Sequence, residues 1–87
     1  TIETAYTILN GEFEVIEAEI IDSSELINKE LKNSNLPDDI RIGAILRKDD
    51  IIIPTSKFIF EKKDVVVFLA KRDQLQLVER LFQISSI

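Results

Sequence analysis

The feature that most constrains this chain is the run Val65-Val66-Val67-Phe68-Leu69-Ala70, apolar at every position. Successive side chains of a strand point to opposite faces, so a continuous rather than alternating run fits a strand covered on both faces. The run is therefore predicted to be the central strand of a sheet, begun by the polar turn Glu61-Lys62-Lys63-Asp64.

The other segments arrange themselves around it. Ala5 to Leu9 reads as a short strand, and Asn10-Gly11 as a two-residue hairpin turn, because both residues tolerate positive φ. From Glu12 to Ile20 the alternation changes phase: Phe13 and Val15 share one face, Ile16, Ala18 and Ile20 the other. Either a bulge near Ile16 reconciles them, or the strand has apolar contacts on both faces, one of them at a subunit interface. Ser23 and Ser24 precede a helical pattern, with Leu26, Ile27 and Leu31 on one side, that ends at Asn33-Ser34-Asn35. After the turn Leu36-Pro37-Asp38-Asp39, the clearest strand places Ile40, Ile42, Ala44 and Leu46 on one face and Arg41, Gly43, Ile45 and Arg47 on the other. Ile51-Ile52-Ile53 makes a further strand, which Pro54 stops because proline cannot donate to a ladder. Asp73 with Gln76 suggests a capping box for a closing helix whose apolar side is Leu75, Val78 and Phe82. The predicted fold is α+β, a mainly antiparallel sheet in the order β-β-α-β-β-β-α with both helices packed on one face.

At 87 residues the chain is one domain, small enough that burying a further face against a partner adds much to its stability. A dimer is expected on that ground. Thr1 is not a start methionine and no Met occurs, as in a segment of a longer protein. With no apolar run long enough to span a bilayer and no signal-peptide pattern at the N-terminus, the expected location is cytoplasmic.

Charge and composition remove several functions. Eleven Lys and Arg are scattered among sixteen Asp and Glu, for a net charge of -5, the reverse of what a phosphate backbone attracts, so no nucleic-acid partner is expected. The absence of Cys and His excludes disulfides, thiolate zinc sites and the usual activators of a serine or threonine hydroxyl. An acid-base role for Asp64 or a pair of glutamates would need clustered carboxylates. Glu12, Glu14, Glu17 and Glu19 come from one strand and cannot converge on a cation without partners from elsewhere. No catalytic residue and no metal ligand is assigned.

Glu14-Val15-Ile16-Glu17-Ala18-Glu19, the stretch from Ser24 to Leu31 leading into Leu36-Pro37, Ile42-Gly43-Ala44-Ile45-Leu46-Arg47, Ile52-Ile53-Pro54 and Asp64-Val65, taken in this order, resemble the TrkA C-terminal domain, also called the RCK C-terminal domain. Val78-Glu79-Arg80-Leu81-Phe82 is similar to the closing segment of proteobacterial members of the family. The resemblance covers about Ala5 to Phe82 and makes residues 1–87 a single regulatory domain, with residues 1–11 leading in from an upstream domain. It implies a cytoplasmic regulator at the inner face of the cell membrane, whose partners are a second copy, an upstream nucleotide-binding domain and a potassium-translocating membrane subunit. In some relatives a small ligand, including a cyclic dinucleotide, sits at the dimer interface. With no G-x-G-x-x-G in the chain, no cofactor is expected in this domain. The chain departs from the family at Asn28, Ser56 and Lys63, where glycine is usual, and reshaped turns are expected at Ser56 and Lys63.

Arg41 and Arg47, on one face of a strand, can frame an anion site across a two-fold axis with Ile53 and Pro54 at its edge, or can simply stay wet. Gly43, Ile45 and Ile52 are the candidate dimer-interface residues. Leu75, Val78 and Phe82 are read as core rather than a docking stripe. Ile84 and Ile87, on a polar tail, have either a partner to pack on or a frayed end.

Overall fold

A computed structural model describes the backbone of residues 2–8 and the whole of residues 11–82. The described elements are β1 (Ile2–Ile8), β2 (Phe13–Glu19), β3 (Ile40–Arg47), β4 (Asp50–Ile52), β5 (Val65–Lys71) and α1 (Leu75–Phe82). The five strands form one antiparallel sheet in the order β1-β2-β5-β3-β4. The α+β class and the central position of β5 agree with the sequence. The strand expected over Ala5 to Leu9 begins earlier, as the edge strand Ile2–Ile8 hydrogen-bonded along β2. Ile8 pairs with Phe13, and Gly11 in the connection has φ 87°, a value that favours glycine. Leu9, Asn10, Ile84 and Ile87 lie outside the described residues.

Two strands correct the predicted alternation. β2 has no bulge: its pairing with β5 is unbroken from Phe13 to Glu19, and Glu14, Ile16 and Ala18 all face the core. The apparent phase slip arises because a glutamate, Glu14, takes an inward position. The bulges are elsewhere, in β1 between Thr4 and Tyr6 and in β3 between Ile42 and Ala44. The one in β3 reverses the alternation midway along the strand, so Ile40, Ile42, Ile45 and Arg47 share the inner side while Arg41, Ala44 and Leu46 share the outer one.

The first predicted helix does not form. Asn28 has φ 67°, which breaks helical geometry, and the segment bonds across to residues 56–60 instead: Asn28 N–H to the Phe60 carbonyl at 2.9 Å, Leu31 N–H to Phe58 at 2.7 Å and Lys32 N–H to Ser56 at 2.9 Å. Only a 3-10 turn, Leu31–Asn33, remains. Tertiary pairing thus overrides a pattern of two to three turns, which is marginal as a helix in water.

Helix α1 forms where expected, entered through a 3-10 turn at Arg72–Gln74 that has no side-chain cap bond, in place of the capping box. Val78, Leu81 and Phe82 are buried, and the Phe82 ring stacks on Phe68 at 5.2 Å between centroids. Burying such a ring contributes roughly 2–3 kcal/mol. The core lies on one face of the sheet, where Ile16, Ala18, Ile40, Ile45, Val66, Phe68 and Ala70 meet α1, Leu26 and Phe60. Ser24 ties the loop to the helix end, donating from Oγ to the Leu81 carbonyl at 2.7 Å while accepting from the Leu26 N–H at 3.1 Å.

The opposite face of the sheet is different. Phe13, Val15, Val65, Val67, Leu69 and Leu46 point there, half-buried and outside the core cluster. The expectation that β5 is covered on both faces therefore holds on one side only of the single chain. Among the described residues no helix is long and apolar enough to cross a membrane.

Candidate functional site

The candidate site is a cleft of about 360 Å3 at the start of β3. Pro37 fixes the entry to the strand, and Pro54, just past β4, closes the far side. Leu31, Leu36 and Ile42 supply apolar wall, all three packed against the core cluster, which holds them in place. Lys32 and Arg41 supply positive charge at the rim, with Asn35 beside them. Arg41 is exposed, and its guanidinium Nη1 makes one weak donation, at 3.3 Å, to its own neighbour's carbonyl at Ile40. Lys32 Nζ stands 3.9 Å from the Glu30 carboxylate, a long and wet pair. Both cations therefore keep donors for an anion, next to a surface suited to a flat apolar group.

The bulge in β3 separates the arginines expected to act together. Arg41 faces outward and lines the cleft with Pro54; Arg47 faces inward. Its Nε and Nη2 donate to the two carboxylate oxygens of Asp64, both at 2.7 Å. Nη2 also reaches the Ile59 carbonyl at 3.0 Å, Nη1 lies 3.2 Å from Glu61, and the guanidinium sits 4.9 Å from the centre of the Phe58 ring. The hydrogen bonds to Asp64, then the charges of Asp64 and Glu61, hold the Arg47 pKa above its ordinary value against partial burial. Asp64 also accepts the Glu61 N–H at 2.8 Å. This network fastens the loop between Pro54 and β5 to the end of β3.

Ile53 is 73% exposed and is not part of the cleft lining, so of the four expected ligand residues the cleft gathers Arg41 and Pro54. Of the expected interface residues, Ile45 is fully buried in the chain's own core, a correction with the same cause, and Ile52 packs against that core. Gly43 is the exposed residue of the bulge. A Cβ there would meet the Val67 carbonyl at an ordinary 3.7 Å, so space alone does not demand glycine.

Lys32, Leu36 and Ile42 escaped the sequence reading because they converge only once the loop folds against β3. Lys63 and Asn28 have φ of 76° and 67°, the left-handed backbone that favours glycine.

Comparison with known proteins agrees with this architecture. A family model described as the TrkA-C domain matches residues 15–83. The Trk system potassium uptake protein TrkA of Azorhizobium caulinodans is 33% identical over 84 residues, 97% of this chain and 18% of that protein. Its namesake from Haemophilus influenzae is 30% identical over 89 residues, 98% of this chain and 19% of that protein. The chain thus spans less than a fifth of the length of these relatives. Among solved structures, the RCK_C domain dimer of S. agalactiae BusR in complex with c-di-AMP superposes with a TM-score of 0.71 at 21% identity, covering 85% of this chain and 95% of that one.

Proposed function

Because the chain belongs to the TrkA-C domain family, whose role is regulatory rather than catalytic, we propose that it is the ligand-responsive domain of a potassium uptake regulator. In this reading the domain pairs with a second copy, takes an anionic ligand of the nucleotide class in the Arg41 cleft, and works at the cytoplasmic side of the membrane. The ligand state passes, with an upstream nucleotide-binding domain, to a potassium-translocating membrane subunit. The domain holds no cofactor of its own.

The observation that carries the reading is the pairing of two uncommitted cations, Lys32 and Arg41, with the apolar surface of Leu36, Ile42 and Pro54. Phosphate groups suit the first and a purine face the second. The c-di-AMP named with the BusR dimer is a ligand with both parts, which supports choosing it as the first probe. Regulation follows only if the ligand binds the two states of the assembly unequally, since equal binding shifts nothing. A thermal-shift panel of c-di-AMP, c-di-GMP, ATP and inorganic phosphate tests this. One nucleotide is expected to raise the melting temperature of the wild-type chain, with the rise lost in Arg41→Ala and reduced in Lys32→Ala. A flat panel, or an undiminished rise in Arg41→Ala, rejects the cleft as the site.

A further inference from the structure

We propose that Arg47 is a positioning residue for the cleft: through the loop it grips, it sets where Lys32 stands relative to Arg41. The inference rests on the ligand reading of the cleft and extends it to a side chain that is not part of the lining.

The lining comes from two different parts of the chain. Arg41 and Ile42 belong to β3, whereas Leu31 and Lys32 belong to the segment before it, which has only a 3-10 turn of its own. That segment is held from outside, by a short antiparallel ladder to residues 56–60. Besides the donations from Asn28, Leu31 and Lys32, the Phe60 N–H donates to the Lys29 carbonyl at 3.1 Å, and Glu30 bridges to Ile59.

Core packing fixes one end of this ladder only. Phe60 is fully buried, but Lys32 and Ser56, paired at the cleft end, are both exposed. Exposed backbone pairs open readily unless something else fastens them. Arg47 supplies the fastening between the two ends. Its Nη2 donates to the Ile59 carbonyl at 3.0 Å, and its guanidinium lies 4.9 Å from the centre of the Phe58 ring, which meets Phe60 edge-on at 5.4 Å. The Phe58 carbonyl accepts the Leu31 N–H, and the Phe58 N–H donates to the carbonyl of Thr55, the residue after Pro54, at 3.1 Å. A guanidinium locked by two 2.7 Å bonds to buried Asp64 thus grips the loop at the residues from which both Pro54 and the Leu31–Lys32 segment are held.

The bulge in β3 makes this division of labour possible. It leaves Arg41 outward at the start of the strand and turns Arg47 inward near its end, about 20 Å further along. One strand therefore carries a cleft cation and the anchor of the segment bearing the other. A binding constellation needs its members held within about 0.5 Å, by side chains that are themselves locked. Lysine at position 47 keeps the charge but has no planar fork with which to hold Asp64 and Ile59 together.

Amide hydrogen exchange followed by NMR, and calorimetry with c-di-AMP, test the proposal on wild type, Arg47→Lys and Val78→Ala, the last a control that removes core contacts from α1 instead. In Arg47→Lys the Leu31 and Lys32 amides should exchange about tenfold faster relative to the Leu81 amide of α1, and c-di-AMP affinity should fall about tenfold. Val78→Ala should neither raise that ratio nor weaken binding. Phe58→Leu, which takes the ring from between Arg47 and Phe60, should repeat the Arg47→Lys result and replaces that variant if it does not fold. An exchange ratio that neither variant raises overturns the proposal. Faster exchange with undiminished affinity, or an equal loss of binding in Val78→Ala, overturns the role in ligand binding. A wild type that does not bind c-di-AMP overturns the ligand reading instead, and the exchange ratio alone then decides whether Arg47 sets the position of Lys32.

Discussion

Arg47 and Asp64 are joined by two parallel hydrogen bonds of 2.7 Å, and the carboxylate is 1% exposed while the guanidinium keeps one edge toward water. Asp64 is thus a buried charge whose compensation comes from a single side chain and one backbone N–H. Arg47→Ala is expected to destabilise the domain by about 3 kcal/mol, because the loss leaves the carboxylate buried and unpaired. Arg47→Lys should recover only part of this, since an ammonium cannot make the bidentate contact. Urea unfolding of the three proteins measures it.

The pH dependence of that contribution has a definite sign. The folded-state pKa of Arg47 is raised above its ordinary value by the hydrogen bonds to Asp64, so the stability it supplies is complete below that ordinary value and is lost only as pH rises through the higher folded one. The gap in unfolding free energy between wild type and Arg47→Lys should therefore stay flat between about pH 7 and about pH 9, where both cations are charged. A gap that shrinks steadily over this range would show that another group carries the effect.

Glu14 presents the opposite case. It faces the core, its Oε1 lies 3.9 Å from a mostly exposed Arg72, and its buried Oε2 has no hydrogen-bond partner among the described residues. A buried carboxylate so poorly compensated costs more than it returns. Glu14→Leu should raise stability by about 1 kcal/mol, read as a higher urea midpoint at unchanged slope.

Lys63 holds φ 76° in the turn before β5. A side chain there is strained whereas glycine is not, and the relief exceeds glycine's greater chain entropy in the unfolded state. Lys63→Gly is expected to gain roughly 0.5 kcal/mol, a rise of a few degrees in melting temperature.

The parts of the fold legible in the sequence are those whose patterns matched a single local structure. The Val65–Ala70 run was legible as the central strand from its apolar continuity, though not which of its faces the chain itself covers, while the start of β3 and the α1 stripe were legible because their apolar spacing determined which face they bury. The loop from Ser24 to Leu31 was not, since its apolar spacing suits a helix equally well, and the deciding contacts come from residues 56–60. The bulge between Ile42 and Ala44 left no signal, because Gly43 sits in an apolar stretch that continues to alternate on paper. That one inserted residue sent Arg47 inward to Asp64 and put Arg41 alone at the cleft. Glu14 was legible in principle: the inward positions Ile16, Ala18 and Ile20 lead back to it at a period of two.

Isothermal titration calorimetry of c-di-AMP into the wild-type chain and into Arg41→Ala tests the central claim, that this is a paired ligand-sensing domain, most directly. The expected result is saturable binding to the wild type, abolished in Arg41→Ala. Absence of binding heat in the wild type at any temperature tried, or binding that survives Arg41→Ala, would contradict it.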